Sequence, residues 1–315
     1  MDIKAKLRSE FDITPSRIDN IVSLIDEGNT IPFIARYRKE MTGNCDDQVL
    51  REFADRLTYL RNLEKRKGEV EKSIADQGKM TEEIAAALAA AETMTEVEDI
   101  YRPYKQKKKT RASVAIEKGL TPLAEEILKQ EMTRAGLEAL AENFVSEEKK
   151  VGSVKEAIQG AKDIIAEMVS DNAELRKKLR TLMTRNGAIS AKMADDTKEE
   201  SKTFEMYSDF YEGVSEIPSH RILALNRGEK AGVLAVKLEL NRVLALNVCN
   251  KFYLKNDGEM APIIRETVED SYDRLLFPSL EREVRSDLTD RASEQAIGMF
   301  EANLKQLLLQ HPVKD

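Results

Sequence analysis

Tryptophan is absent from this 315-residue chain, cysteine and histidine occur twice each, and glycine and proline contribute only 14 and 8 residues. Each scarcity excludes something. Two cysteines, Cys45 and Cys249, cannot make a disulfide framework and fit a reducing compartment. With His220 and His311 as the whole histidine supply, a zinc site would have to gather ligands from distant parts of the chain. Aromatics are 5% of residues against 34% charged, a mixture that favours helices and gives β-sheet little to work with. No apolar run approaches the ~18 residues of a membrane helix. The opening Met1-Asp2-Ile3-Lys4 lacks the apolar stretch of a signal peptide. The expected location is therefore cytoplasmic. GxGxxG, P-loop, Cys-x-x-Cys and His-Glu-x-x-His patterns are all missing, so neither catalysis nor a metal or cofactor is expected.

Charge is present but unevenly spread. The net charge is −7; residues 1–118 hold 22 basic and 22 acidic residues, so the remaining 28 and 35 carry the whole imbalance. Within residues 101–118, seven basic residues face one acidic residue, a local +6 in an otherwise neutral or acidic chain. A patch of that density can meet phosphate while the rest of the surface repels it.

Helix signals dominate the pattern. Thr14-Pro15 and Pro32 mark helix starts, because proline in a first turn has no amide proton left unpaired. Short helices over 3–11, 15–27 and 32–38 are compatible with a helix-turn-helix-like bundle. Asp46-Asp47 then open a long helix with a seam through Val49, Phe53, Leu57, Leu60, Leu63, Val70 and Ile74. Further helices are expected near 81–91, 120–130, 134–145, 153–170, 171–185, 218–227, 242–254, 260–276 and 279–311. The last carries a four-residue stripe, Val284, Leu288, Ala292, Ala296, Phe300, Leu304 and Leu308, and should be a buried spine. Only 187–194 and 233–238 read as strands, expected to pair as a two-stranded antiparallel ribbon. The fold class is mainly α, multi-helical, with a soft division into 1–186 and 187–315.

Two segments concentrate basic chemistry. Ile31–Lys39 compresses Phe33, Ile34 and Tyr37 at helical spacing with Arg36, Arg38 and Lys39. Tyr101–Arg111 carries Lys105, Lys107, Lys108, Lys109 and Arg111, with Tyr101 and Tyr104 available to stack on bases. For 102–111, phosphate contact and a solvated charge run are equally good readings. For Arg36, Arg38 and Lys39, intramolecular pairing with Glu40, Asp46 or Asp47 is the stronger alternative. The aspartate pairs Asp46-Asp47 and Asp195-Asp196 suit capping and turns better than a magnesium site, since adjacent helical residues do not face one way. His220 fits a structural role at the start of its helix, and His311 near the end of the last one.

The same segments carry a family resemblance. GNTIPFIARYRKEMTGNCDD (Gly28–Asp47) resembles the N-terminal signature of the bacterial Tex transcription accessory proteins. IYRPYKQKKKTRASVAIEKGLTPLA (Ile100–Ala124), PSHRILALNRGEKAGVL (Pro218–Leu234) and Leu275–Pro312 resemble later stretches of that family. In the family, YqgF-like, helix-hairpin-helix and OB-fold domains follow, beyond Asp315 of this sequence. The resemblance implies a nucleic-acid-binding transcription accessory factor, with transcription or translation machinery and the downstream domains as partners. Its main nucleic-acid-binding domain is the OB-fold, so this chain is expected to supply scaffold and weak, sequence-independent phosphate contacts. The alternative is a helical protein-interaction scaffold that binds no nucleic acid itself.

Overall fold

The computed structural model describes residues 2–105 and 109–310 and divides the chain into two compact units, Met1–Lys105 and Gln106–Asp315. The protein is 72% helical, so the mainly-α expectation holds. No helix among the described residues is long and apolar enough to cross a membrane.

The first unit is organised by one long helix. Helices α1 (Ile3–Glu10), α2 (Pro15–Asp26), α3 (Ile31–Tyr37) and α4 (Lys39–Thr42) precede α5 (Asp47–Asp76). Asp46 caps α5 by accepting the Val49 amide at 2.8 Å, the role its sequence position implies. The buried seam of α5 begins at Leu50 rather than Val49, because 50, 53, 57, 60 and 63 keep one face in steps of three and four. Its first half packs on Leu7, Ile18, Ile21, Val22 and Ile34, with Phe11 and Phe53 edge to face at 5.2 Å. Its second half packs on α6 (Glu82–Ala90) and α7 (Met94–Tyr101), which leads into a 3-10 turn at Arg102–Tyr104. The step from Leu63 to Val70 is filled by Lys67, which is buried. Its Nζ donates to the Ala89 carbonyl at 3.2 Å, in the electronegative last turn of α6, and pairs with Glu64 at 3.0 Å.

The second unit wraps helices around one core. In order come α8 (Arg111–Glu117), α9 (Thr121–Lys129), α10 (Arg134–Glu142), α11 (Val154–Asp171) and α12 (Ala173–Asn186). Then follow β1 (Ala188–Met193), a 3-10 segment (Glu199–Tyr207), β2 (Asp209–Gly213), α13 (Ser219–Lys230), β3 (Leu234–Glu239), α14 (Arg242–Tyr253) and α15 (Ala261–Ser271). A π-helical turn, Tyr272–Leu276, joins α15 to α16 (Phe277–Leu308). Pro278 lacks the amide proton of a regular helix, and the irregular turn falls immediately before it. The 186/187 division drawn from the sequence lies inside this unit, between α12 and β1, whose Leu179, Met183 and Ile189 share one core.

The sheet corrects one expectation. β1 pairs antiparallel with β3, Ser190 opposite Lys237, as the two strand-like runs imply. A third strand, β2, adds to the other side of β1 with Ser190 opposite Tyr211, giving the order β2-β1-β3. The third strand escapes sequence reading because none of its residues is buried, so it needs no alternating apolar face. The outer edge of β3 is held by α16: Glu281 accepts the Leu238 amide at 2.9 Å, and Arg285 donates to the Val236 carbonyl at 3.3 Å.

The spine expectation holds for half of α16. Leu280, Val284, Leu288 and Ala292 are buried, whereas residues 294–310 are exposed throughout, Phe300 among them at 68%.

Candidate nucleic-acid interface

Three of the basic residues singled out from the sequence, Arg36, Arg38 and Lys39, lie together at the α3–α4 corner. Gly28, at φ +82°, and Asn29, whose side-chain amide donates to the Leu24 carbonyl at 2.9 Å, turn the chain out of α2. Thr30 and Pro32 start α3, and fully buried Ile34 anchors it against α5. With Ile34 inward, Phe33 and Tyr37, one turn apart, share a flank. Their ring centroids lie 5.3 Å apart with planes tilted by 44°.

Arg38 ends α3 at φ −127°, its amide still bonded to the Ile34 carbonyl at 3.0 Å, and α4 restarts at Lys39. Gly43 closes α4 at φ +76°, with the Arg17 guanidinium lying where a β-carbon would stand. Asn20 donates to the Met41 carbonyl at 3.1 Å, tying the corner to α2. The break between two short helices leaves Arg36, Tyr37, Arg38 and Lys39 all exposed. They border a shallow cleft of about 620 Å³, shared with Leu24, Glu27, Glu40 and Met41.

Two of the three intramolecular partners proposed for these cations are engaged elsewhere, and the third, Glu40, borders the same cleft without an ion pair among the described residues. Asp46 caps α5, and Asp47 pairs with Arg51 at 2.8 Å. Among the described residues, Arg36 and Lys39 make no ion pair, and Arg38 lies over the Phe33 ring at 5.2 Å and donates to the Tyr37 carbonyl.

The second basic segment is divided. Lys105 ends the first unit and approaches Glu98 at 3.6 Å, while Lys109 and Arg111 begin the second. Lys107 and Lys108 lie outside the described residues. Thr110 and Ser113 form a reciprocal capping box that starts α8, at 3.0 and 2.9 Å. Lys109 and Arg111 are exposed beside a concavity of about 430 Å³, which also contains Glu156 and Asp163.

Tyr101 and Tyr104, read from the sequence as available to stack on bases, are half-buried in the first unit. The Tyr101 hydroxyl meets Ser73 Oγ at 3.0 Å, its ring carries the Arg66 guanidinium at 5.5 Å, and both tyrosines pack against the core of α5 to α7. Asp195 makes the turn expected of it, accepting from the Thr197 amide and hydroxyl at 3.0 and 2.6 Å. His220 is exposed in the first turn of α13 and makes no cap bond.

These observations define a class: a two-unit helical protein with a short, aromatic-bearing helix corner on which Arg36 and Lys39 are exposed without an ion pair among the described residues. The chain belongs to the Tex family, since "Tex-like protein N-terminal domain" matches residues 1–75 and "Tex central region-like" matches 133–300. It is 42% identical to YdcI of Bacillus subtilis over 99% of this chain and 44% of that protein. It is 37% identical to the transcriptional accessory protein Tex of Neisseria gonorrhoeae, over 99% of this chain and 42% of the relative. The human S1 RNA-binding domain-containing protein 1 is 31% identical over 99% of this chain and 32% of its own length. The chain thus spans less than half the length of these relatives.

Proposed function

We propose that this chain carries the helical N-terminal region of a nucleic-acid-associated transcription accessory factor, acting as scaffold and supplying auxiliary, sequence-independent phosphate contacts without catalysis. The supporting observation is the α3–α4 corner, where Arg36 and Lys39 are exposed and the neighbouring Asp46 and Asp47 are committed to a cap and to Arg51. Lys109 and Arg111 offer a second, separate pair of exposed cations. The names of the relatives, a transcriptional accessory protein and an S1 RNA-binding domain-containing protein, agree with this reading.

With a net charge of −7, binding should be weak, ~10⁻⁴ to 10⁻⁶ M or poorer, with a log–log salt slope of roughly −2 to −3.5 for about three to five phosphates on a single strand. The test titrates a labelled single strand at rising salt against wild type, an Arg36→Gln/Arg38→Gln/Lys39→Gln variant and a Lys105→Gln/Lys109→Gln/Arg111→Gln variant. The expected result is weaker binding and a shallower slope in each variant, most of all in the first. Binding absent at low salt, or equal in all three, removes the phosphate role. A second reading, a protein-interaction scaffold that positions downstream domains, is favoured by the exposed apolar half of α16 and is what such a failure would leave.

A further inference from the structure

Phosphate contact accounts for the cations of the α3–α4 corner but not for its rings. Tyr37 is 61% exposed although an aromatic side chain gains by burial. One side of Tyr37 is filled: the Phe33 ring packs against it at a tilt, centroids 5.3 Å apart, and Phe33 itself receives the Arg38 guanidinium at 5.2 Å. The ring is thus held by neighbours rather than free to collapse onto the surface, and positive charge flanks it through Arg36 and Lys39.

We infer that Tyr37, buttressed by Phe33 and Arg38, is a stacking platform for one unpaired base, so that this corner takes single-stranded nucleic acid in preference to duplex. The inference rests on the nucleic-acid reading above and deepens it. A single strand presents free base faces beside its phosphates, and a ring with flanking cations meets both at once, tolerant of sequence because every base has a π face. Duplex bases are already stacked and offer no free face to a ring, only groove edges and the backbone. The acidic neighbours Glu27 and Glu40 line the same cleft and offset part of its positive charge, so a backbone without bases gains less there. Among the described residues that line the concavity with Lys109 and Arg111 there is no aromatic ring.

The experiment compares oligo(dT) of about 12 nucleotides with an abasic strand of equal length and charge, and with the matching duplex, all at low salt. Stacking on one base at the lower end of its usual strength corresponds to about five-fold in Kd. Wild type should favour oligo(dT) over the abasic strand by at least that factor. Tyr37→Ala should remove the preference while keeping the abasic affinity, and Tyr37→Phe should restore it. The Arg36→Gln/Lys39→Gln variant should weaken both strands alike. Because Tyr37 is exposed, these variants should fold as wild type, which circular dichroism checks. Equal wild-type binding to oligo(dT) and abasic strand overturns the platform and leaves phosphate contact standing. A preference that persists in Tyr37→Ala overturns it too, placing base contact elsewhere. No binding to any strand removes the platform and the nucleic-acid reading together.

Discussion

A guanidinium with no solvent exposure, that of Arg176 on α12, sits where α12 meets α16. It donates to the Ser170 carbonyl and Ser279 Oγ, both at 3.3 Å, and to Glu283, which also accepts from Arg180 at 2.8 Å and from Ser279 at 3.1 Å. Burial alone would push the Glu283 carboxyl up, yet the hydrogen bond from Arg180 and the charges of Arg176 and Arg180 hold it below its usual range. Removing one partner strands the other charge without water, so Glu283→Ala should cost about 3–5 kcal/mol, read as a shift of the urea unfolding midpoint. An Arg176→Met/Glu283→Leu double variant should recover part of that loss, since an apolar pair needs no compensating charge, while Arg180 still loses its bond to Glu283. Additive losses in the double variant would show that the pair is not coupled. Nothing in the run Leu175-Arg176-Lys177-Lys178-Leu179 marks one cation for burial. Only the phase does: Arg176 lies one turn before Leu179 and two before Met183, both buried. Lys67 escapes notice in the same way, inside a run that reads as a charged face.

Among the elements, α16 separates what periodicity can and cannot settle. A stripe in four-residue steps gives the helix and its apolar side, but it does not say how far the rest of the fold extends to cover that side. In this structure cover ends at Ala292; beyond it Ile297, Phe300, Leu304, Leu307 and Leu308 form an apolar ridge in solvent. The energetic consequence is a step along one helix. Leu288→Ala, which empties a buried position, should cost about 2–5 kcal/mol. Phe300→Ala should cost under about 1 kcal/mol, because the ring leaves no cavity. Equal losses at the two sites, measured by thermal or urea unfolding of this chain, would mean that the distal half is covered. The elements were otherwise legible wherever caps and stripes agreed, as in α2, α5, α11 and α12. They were least legible at the basic corner: α4 is four residues long and leaves no periodic trace.

At the scale of the whole molecule, the sequence reports charge totals but not which carboxylates the fold has claimed. Glu10 is gripped by Arg56 through two bonds of 2.6 Å, Asp26 by Arg61 at 2.6 and 2.8 Å, and Asp270 by Arg274 at 2.6 Å. In each case the arginine hydrogen bond is the main reason the carboxyl sits below its usual range. Glu283 joins them, so claimed carboxylates occur in both units. A carboxyl whose folded pKa is depressed adds stability that is present above its unfolded pKa and lost as pH falls through the folded value. Asp287 works in the opposite sense: burial raises it, so the folded state holds that proton more tightly and gains relative stability on acidification. With Asp19, Glu64 and Asp195 also held below their usual range, seven depressed carboxyls against one raised among the described residues decide the sign. Unfolding midpoints in urea should hold level from about pH 7 to 5 and then fall steadily below about pH 4.5, the unfolded range of Glu and Asp. Added salt should blunt the neutral-pH contribution of the exposed Asp26–Arg61 pair more than that of Glu283, which is half-buried among its partners. A midpoint that rises on acidification would mean that repulsion within a chain of net charge −7 outweighs these pairs, and that their hydrogen bonds contribute little to holding either unit together.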